Sequence, residues 1–456
     1  MSDAKVTDHL VSGPDFDVTF SAVDQAVPAI YSGRVLIFKR TKGDNDSAAA
    51  AIRDGLQKTV DEVPVLAGEM TYDQPVCWGI KKGNLFLRFK QLPELVYDEL
   101  EATNFSEKHF PAELVSSVPT LMEPHGERHS CRIQTNFITG GVLLVISVHH
   151  LVADGWGVTK IIEKIARNCR IPDDNWTPPA TGSPPLVYAD RSRLSTTSVP
   201  EGDGDIDRVP AYSLVPIHTP WKPTNNKVVI TTFRFPKAEL SKLKALAYPD
   251  RVKFPGAWIS THDAVLALWL RTYVRTRFNA GRLGGAGTIR FGFPIEFRRQ
   301  VGLPAEYIGN VFFHHKVDIP LQTILADDGL KNAALIINQG MKGVGLEYIE
   351  NFIAVAKSIL DVPSISMRLN LKFGERNAAF GCTSYKNFLH GDLDWCPKTF
   401  GAYQCLRLPS GISAEGLTVV LPVLKNGDWE ITTMVEEELL TDFRFDHEWR
   451  SFTSDV

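Results

Sequence analysis

The sequence lacks the features that mark membrane, secreted and metal-binding proteins. No apolar run approaches the ~20 residues that a transmembrane helix needs, and residues 1–8 lack the apolar core of a secretory signal. The six cysteines are scattered without a Cys-x-x-Cys pair, which indicates reduced thiols and neither a disulfide framework nor a zinc site. We therefore expect a cytoplasmic protein with no membrane partner and no bound metal.

Strong charge and nucleotide-binding motifs are also missing. A net charge of −4 gives no electrostatic reason to expect a nucleic-acid partner. The absence of Walker A, Gly-x-Gly-x-x-Gly and Gly-x-Ser-x-Gly motifs argues against P-loop enzymes, dinucleotide-binding enzymes and serine hydrolases of that plan. A glycine cluster at 284–287 lies between a predicted helix and a predicted strand, and we interpret it as a flexible loop. No tightly bound cofactor is expected.

What the sequence does contain is a composition typical of soluble globular proteins. Hydrophobic residues make up 44% and charged residues 22% of its 456 residues, which is more chain than one ordinary core accommodates. From about 171 to 226, Pro, Gly, Ser, Thr and Asp replace the periodic patterns, as is typical of a linker. We expect an N-terminal domain over 1–180, a crossover linker over 181–226 and a C-terminal domain over 227–456.

Strands and helices interleave in both halves, which predicts an α/β (α+β) fold with a mixed sheet in each domain. The clearest patterns are a helix over 48–60 capped by Ser47, an amphipathic helix with Val158, Ile161, Ile162 and Ile165 on one face, a capping box at 260–263 before a helix over 264–277, and strands over 417–424 and 429–435 joined by an Asn-Gly turn. We interpret His314 and His315, inside an apolar run, as structural, with metal binding as the alternative.

The most informative motif is His150-Leu151-Val152-Ala153-Asp154-Gly155, which follows the apolar run 142–148. A histidine at the end of a buried strand is a candidate general base, because its pKa lies near neutrality. Asp154 followed by Gly155 predicts a sharp turn that the carboxylate steadies. His149 and His150 are adjacent on an extended segment and point to opposite faces, and the spacing to Asp154 favours His150 as the functional one. The alternative is a core histidine, with Asp154 an ordinary helix N-cap.

The chain also resembles the BAHD-type acyltransferases, in particular the fungal branch similar to trichothecene 3-O-acetyltransferase. Besides the motif at 149–155, matching segments are spread along nearly the whole chain. They are residues 64–68, 134–137, 140–141, 190–192, 261–264, 297–299, 307–310, 383–385 and 392–395. His-x-x-x-Asp-Gly alone is shared by a wider superfamily, whereas the ordered set indicates this family.

The resemblance implies two chloramphenicol-acetyltransferase-like domains with an active-site channel at their interface. Acyl-CoA, with acetyl-CoA as the expected donor, would enter from one face, and a small-molecule acceptor from the other. His150 would deprotonate a hydroxyl of a fungal secondary metabolite, which would attack the thioester carbonyl directly through a tetrahedral intermediate. Acyl-CoA is then a co-substrate, and a monomer is expected.

The resemblance also implies roles for residues around the base. Asp154 would be structural, with its carboxylate turned towards Arg298. Asp394 matches the aspartate of the family's Asp-Phe-Gly-Trp-Gly motif, which supports the loop around the same arginine. Here Cys396 replaces a glycine of that motif, which puts the loop geometry in doubt, although Phe400-Gly401 would supply the later glycine.

Two further residues are carried over by their motif positions. Tyr385 stands where plant relatives have a tryptophan that faces the tetrahedral intermediate, and its hydroxyl would still donate to an oxyanion. The alternative for Tyr385 is a half-buried strand residue. Thr261 matches a helix-start position that contacts CoA in relatives, and a helix N-terminus suits phosphate.

Two alternative functions stay open at this level. His149-His150-x-x-x-Asp-Gly also fits the condensation domains of peptide synthetases, which take their acyl group from a carrier protein. The segments at 383–385 and 392–395 favour CoA over a carrier. The other alternative is a non-acylating catalyst or a binding protein on the same scaffold, against which the intact base motif argues.

Overall fold

The chain folds into two units that each draw on several stretches of sequence. The computed structural model describes residues 5–40, 43–73, 76–118, 129–170, 185–200, 202–216, 227–283, 285–360, 365–369, 378–388, 390–393, 395–410 and 414–456. The first unit comprises Met1–Thr196, Phe297–Val311 and Phe388–Ile412, and the second Thr197–Glu296, Phe312–Asn387 and Ser413–Val456.

The elements of the described residues are as follows. The strands are β1 Val6–Ser12, β2 Asp17–Thr19, β3 Tyr31–Lys39, β4 Gly68–Asp73, β5 Val76–Lys82, β6 Asn84–Val96, β7 Cys131–Thr139, β8 Gly141–His149, β9 Tyr212–Pro216, β10 Val228–Phe235, β11 Thr288–Glu296, β12 Phe312–Pro320, β13 Ile365–Leu369, β14 Ala379–Ser384, β15 Ala402–Arg407, β16 Leu417–Val420, β17 Trp429–Glu436 and β18 Ser454–Asp455. The α-helices are α1 Ala22–Gln25, α2 Asn45–Glu62, α3 Tyr97–Ala102, α4 Ala112–Val115, α5 Gly155–Asn168, α6 Lys237–Leu246, α7 Thr261–Asn279, α8 Leu321–Leu325, α9 Gly329–Lys342, α10 Leu346–Leu360, α11 Leu440–Arg444 and α12 His447–Arg450.

The first unit is built on a mixed sheet in the order β1-β6-β7-β8-β3-β15. Its neighbours pair antiparallel except β6 and β7, which are parallel. Strand β8 lies inside this sheet, between β7 and β3, and every one of its residues is buried. A strand buried on both faces reads as a continuous apolar run, as 142–148 does. The loop that follows β8 therefore starts from a rigid part of the unit.

Helices α2 and α5 pack against each other in this unit. Ile161, Ile162 and Ile165 of α5 are fully buried, which confirms the amphipathic pattern predicted after the motif. A Cβ on Gly55 of α2 would collide with the backbone of Cys169, just after α5, so this close approach of the two helices requires glycine.

The second unit has its own mixed sheet, in the order β12-β11-β14-β16-β17-β10-β18. The predicted capping box is confirmed: Ser260 Oγ accepts from the Asp263 N–H, and Asp263 Oδ2 accepts from the Ser260 N–H. Helix α7 begins directly after Ser260, three residues before the predicted 264. It is buried along most of its length, and the Trp269 indole donates to Thr433 Oγ1 on β17 at 2.8 Å.

Other local predictions differ in detail from the structure. The predicted hairpin is confirmed as β16 and β17, and Gly427 of its turn has a φ of +87°. The predicted helix at 48–60 instead spans Asn45–Glu62, because Asp44 caps it in place of Ser47. His314 and His315 lie on β12, with ring contacts to Tyr212 and Tyr348 respectively. Among the helices that the structure describes, none is both long and apolar enough to cross a bilayer.

The two units also differ from three consecutive sequence blocks. Residues 297–311 and 388–412 follow the expected linker in sequence but belong to the first unit. The physical reason in the second case is β15, which pairs antiparallel with β3 and forms one edge of the first unit's sheet. Within the expected linker, residues 185–196 fall in the first unit and the described residues from 197 in the second, where β9 pairs with β13.

Candidate functional site

His150 lies directly after β8, where the chain leaves the sheet. Its backbone N–H donates to the Ile30 carbonyl at 2.7 Å, and its side chain is only partly buried. The neighbouring His149 is fully buried, with its ring 5.4 Å from that of Tyr31. Burial lowers the pKa of His149 to about 3, helped by the nearby His150. His149 is thus a neutral core residue, whereas His150 starts a loop.

The His150 ring is held by an asparagine from a distant segment. Its Nδ1 lies 3.2 Å from Oδ1 of Asn310. The other side of the amide, Nδ2, donates to the His150 carbonyl at 2.8 Å and to the Leu151 carbonyl at 3.3 Å. Because Oδ1 can only accept, Nδ1 carries the proton of the neutral ring, and the ring lone pair is on Nε2. A neutral imidazole in this tautomer can accept a proton through Nε2.

Behind Asn310 lies a buried ion pair. Asp24 Oδ1 accepts from the Asn310 backbone N–H at 3.0 Å and from its Nδ2 at 2.9 Å. The same oxygen lies 2.9 Å from Nη1 of Arg191, and neither charged side chain is more than 1% exposed. Arg191 also donates to the carbonyls of Leu151 and Val152, at 3.3 and 2.8 Å. Burial is the largest single influence and would lower the pKa of Arg191, but Asp24, Tyr307 and Asp154 together outweigh it and the pKa is raised.

The pKa of the His150 imidazole is lowered from its ordinary 6.5. Burial is the largest cause, because it disfavours the charged ring, and the Arg34 guanidinium acts in the same direction. The residue's own backbone, the Asp154 carboxylate and Asn310 oppose this shift. The balance keeps His150 neutral at physiological pH, which is the state in which it can accept a proton.

The Asp154 carboxylate is bound by a second buried arginine. Arg298 Nη2 lies 2.9 Å from Oδ1 and 2.8 Å from Oδ2. Oδ1 also accepts from the Gly157 N–H at 2.8 Å, which caps α5, and Oδ2 from the Val311 N–H at 3.0 Å. Arg298 further donates to the carbonyls of Tyr307 and Gly309. Both interpretations of Asp154 therefore apply: it is a helix N-cap and the partner of Arg298.

Gly155 begins α5 directly after Asp154. A Cβ at this position would meet the Phe388 ring at 3.1 Å, and the Gly155 carbonyl accepts from Arg34 Nη2 at 2.8 Å. The missing side chain thus leaves room for Phe388 against the start of the helix.

The sequence-derived residues are divided between the two units. His150, Asp154, Gly155 and Arg298 lie together in the first unit. Tyr385, which follows the last residue of β14, and Thr261, the first residue of α7, belong to the second unit and are both partly buried. Asp394 lies outside the described residues.

The loop around the degenerate motif has its left-handed residue at Gly401 and not at Cys396. Cys396 is buried, and its carbonyl accepts from the N–H groups of Thr399 and Phe400. Gly401 has a φ of +95°, and a Cβ there would collide with the Lys39 carbonyl. Cys396 is not among the non-glycine residues with positive φ, so the left-handed position of this segment falls on a glycine, Gly401.

Three residues of this site were not assigned a role from sequence. Asn310 and Arg191 fell in matching segments, but nothing local indicated that they contact the motif. Asp24 carried one usable signal, since Ser21 and Asp24 form a capping box around α1, and this spacing predicts a helix start. That signal locates a turn and says nothing about Arg191 or Asn310.

Comparison with known proteins gives relatives for this chain. Residues 30–169 match the family described as Trichothecene 3-O-acetyltransferase-like N-terminal domain. The enoyl-CoA isomerase/hydratase claC of Penicillium crustosum is 30% identical over 98% of this chain, but the chain spans about half (52%) of that protein. The eremophilane O-acetyltransferase ORF8 of Penicillium roqueforti is 25% identical, over 95% of this chain and 98% of its own length.

Among solved structures, TRI101 of F. graminearum, complexed with coenzyme A and T-2 mycotoxin, is similar throughout. It matches with a TM-score of 0.77 over 96% of this chain and 99% of its own, at 16% sequence identity. A likeness at this identity shows the fold, which is the predicted two-domain acyltransferase fold with mixed sheets. The family match over residues 30–169 and the fungal O-acetyltransferase relative agree with this fold and confirm the resemblance to the BAHD-type acyltransferases, in the fungal branch similar to trichothecene 3-O-acetyltransferase.

Proposed function

We propose that the protein is an acyl-CoA-dependent O-acyltransferase that esterifies a hydroxyl of a fungal secondary metabolite, with His150 as its general base and acetyl-CoA as the donor. The observation that carries this proposal is the state of His150. Its Nδ1 is held by Asn310, its neutral form is favoured, and the motif around it is fixed by two buried arginines. Relatives named O-acetyltransferases and a CoA-bound structural neighbour support the reaction class.

The geometry suggests how His150 would perform the transfer. Nε2 takes the proton of the acceptor hydroxyl as its oxygen attacks the thioester carbonyl, forming the new C–O bond and an oxyanion. Collapse of this tetrahedral intermediate breaks the C–S bond. The leaving thiolate takes the proton from Nε2, so free CoA departs as the thiol and His150 returns to its neutral state. The roles that the resemblance gives Tyr385, Thr261 and Asp394 stay predictions.

The donor is tested first by a thermal-shift titration with acetyl-CoA, free CoA and longer acyl-CoAs. A ligand present at ~100 times its Kd stabilises the folded state by ~2.7 kcal/mol, so a donor raises the melting temperature clearly. We expect acetyl-CoA to do so, and turnover with a hydroxylated acceptor to release free thiol. If no CoA species shifts the melting temperature, a carrier-protein donor or a non-acylating role replaces this proposal.

His150→Ala is expected to abolish turnover while leaving the melting temperature close to that of the wild type. Loss of a general base costs about 10²–10⁴-fold in rate, and a partly buried loop side chain contributes little to the core. The assay is release of CoA thiol under saturating donor. His447→Ala, which removes an exposed histidine of α12, is the matched control. Substantial residual activity in His150→Ala contradicts the base assignment.

The pH dependence follows from the lowered pKa of His150. The base must be neutral, so kcat/KM is lost as the pH falls through that pKa and is constant above it. Because the pKa is shifted down from 6.5, the midpoint of the acid limb is expected below pH 6.5. Initial rates across the pH range, with circular dichroism at each pH to exclude unfolding, measure it. A midpoint above 6.5 argues that another group controls the rate.

Asp154→Asn and Arg298→Ala are expected to destabilise the fold. Breaking a buried ion pair on one side costs ~3–5 kcal/mol, because the remaining charge is buried without its partner. Asparagine still caps a helix, so the loss in Asp154→Asn reports mainly the missing charge. Urea unfolding measures it. Glu163→Gln, in the partly exposed i,i+3 pair with Lys160, serves as the control and should cost no more than ~1 kcal/mol. Equal losses in all three variants would refute the argument.

A further inference from the structure

We infer that Asp24 and Arg191 are positioning residues: their buried ion pair fixes the side-chain amide of Asn310 in one orientation, and through it the Nε2 lone pair of His150. This inference rests on the proposed function, since it explains how the proposed base is held ready. Neither Asp24 nor Arg191 is assigned a contact with the reacting groups. Both act through Asn310 and through the backbone of the motif.

The side-chain amide of Asn310 has two possible orientations, related by a flip that exchanges Oδ1 and Nδ2. In the observed one, Nδ2 faces three acceptors, namely Asp24 Oδ1 and the carbonyls of His150 and Leu151. A flipped amide would turn its oxygen towards these three oxygens inside a site where Asn310 is fully buried. Buried acceptors left without donors are costly, so the observed orientation is strongly preferred.

The negative charge of Asp24 determines how it binds the Asn310 amide. A carboxylate accepts and never donates, so Asp24 enforces one orientation of the amide, whereas a neutral carboxamide would not. Keeping that charge buried requires compensation. Arg191 supplies it at 2.9 Å, and Ser21 donates to Oδ2 from both its backbone N–H and its hydroxyl. The surroundings are therefore built around an ionised Asp24.

The same ion pair also binds the backbone of the loop after β8. Arg191 Nη1 and Nη2 donate to the carbonyls of Leu151 and Val152, the two residues after His150. The pair thus holds the ring of His150 from one side, through Asn310, and the backbone of its loop from the other. An arginine fork suits two carbonyls and a carboxylate together, as a lysine does not.

The primary test is Asp24→Asn, which keeps the shape of the side chain but allows it to donate as well as accept. Asn310 then loses the charged member of the three acceptors that fix its orientation, so its preference for that orientation weakens, and with it the preference for the proton on Nδ1 of His150. We expect kcat to fall by about 10- to 100-fold with little change in KM for the acyl donor, less than the ~10⁴-fold loss seen when a carboxylate that bonds the base directly is neutralised. The acid limb of the rate profile should move to lower pH, because Asn310 no longer supports the protonated ring against Arg34.

A second readout needs no substrate. Long-range ¹H–¹⁵N spectra of protein labelled in histidine nitrogen distinguish the two neutral tautomers, and His150 is assigned by its loss in His150→Gln. The wild type should show a protonated Nδ1 and an unprotonated Nε2. Asp24→Asn should show a mixture of the two tautomers.

The control for a merely structural effect is Glu430→Gln. Glu430 is a buried carboxylate of β17 paired at 2.7 Å in the second unit with Arg234, which is 29% exposed, so the variant makes the same chemical change in a less deeply buried pair. It should lower stability but leave the kcat, the pH profile and the His150 tautomer as in the wild type. If Asp24→Asn matches Glu430→Gln in all three, the positioning role is wrong.

Two variants cover the case in which Asp24→Asn does not fold. Asp24→Asn combined with Arg191→Met removes both charges together, which buried sites tolerate better than one unpaired charge. Asn310→Ala leaves the ion pair intact and removes the link. Both are expected to lower kcat and to mix the tautomers, and unchanged values in either overturn the inference. If the wild type transfers no acyl group but its tautomer depends on Asp24, the proposed function fails and the positioning role survives.

Discussion

The contact between Asp154 and Arg298 is the constraint on which the rest of the site depends. It joins the loop after β8 to a segment that lies 144 residues further along the chain. The same carboxylate caps α5 and binds the Val311 N–H, while Arg298 holds the carbonyls of Tyr307 and Gly309. These contacts fix both ends of the segment, and Asn310 between them is thereby brought to His150.

Two buried arginines bind the loop after β8 at different points. Arg298 binds Asp154 at its end, and Arg191 binds the carbonyls of Leu151 and Val152 in its middle. Buried ion pairs are weak evidence for stability, since removing two charges from water offsets much of their attraction. Their contribution here is geometric. Arg191 donates to two carbonyls of the loop itself, and Arg298 donates to the carbonyls of Tyr307 and Gly309 while it binds Asp154, so the loop and the neighbouring segment are held together.

Which features of the fold and of the site could be predicted from the sequence depends on how far apart along the chain the interacting residues lie. The strand before His150, the amphipathic α5 and the capping box at Ser260 depend on neighbours in sequence, and all three were predicted. The family resemblance pointed to Arg298 as the partner of Asp154, a contact that local patterns cannot give. Asn310, Asp24 and Arg191 could not be derived, because their roles arise only when three distant segments meet. The replacement of a motif glycine by Cys396 could be seen in the sequence, but the positive φ of Gly401 could be known only from the backbone of the structure.

The interleaved composition of the first unit has a consequence for synthesis of the chain. Its central sheet is completed by β15, and its loop after β8 by residues 297–311. The unit therefore lacks both partners of its motif until residue 311 has been made, and its edge strand until residue 407 has been made. Contacts of such high sequence separation form late, since the loops between them must close first. The nascent N-terminal half therefore leaves the ribosome with an open edge at β3, the kind of edge that favours association with other chains. A chain of only the first 196 residues would contain the loop after β8 but neither Arg298 nor Asn310, the residues that order it.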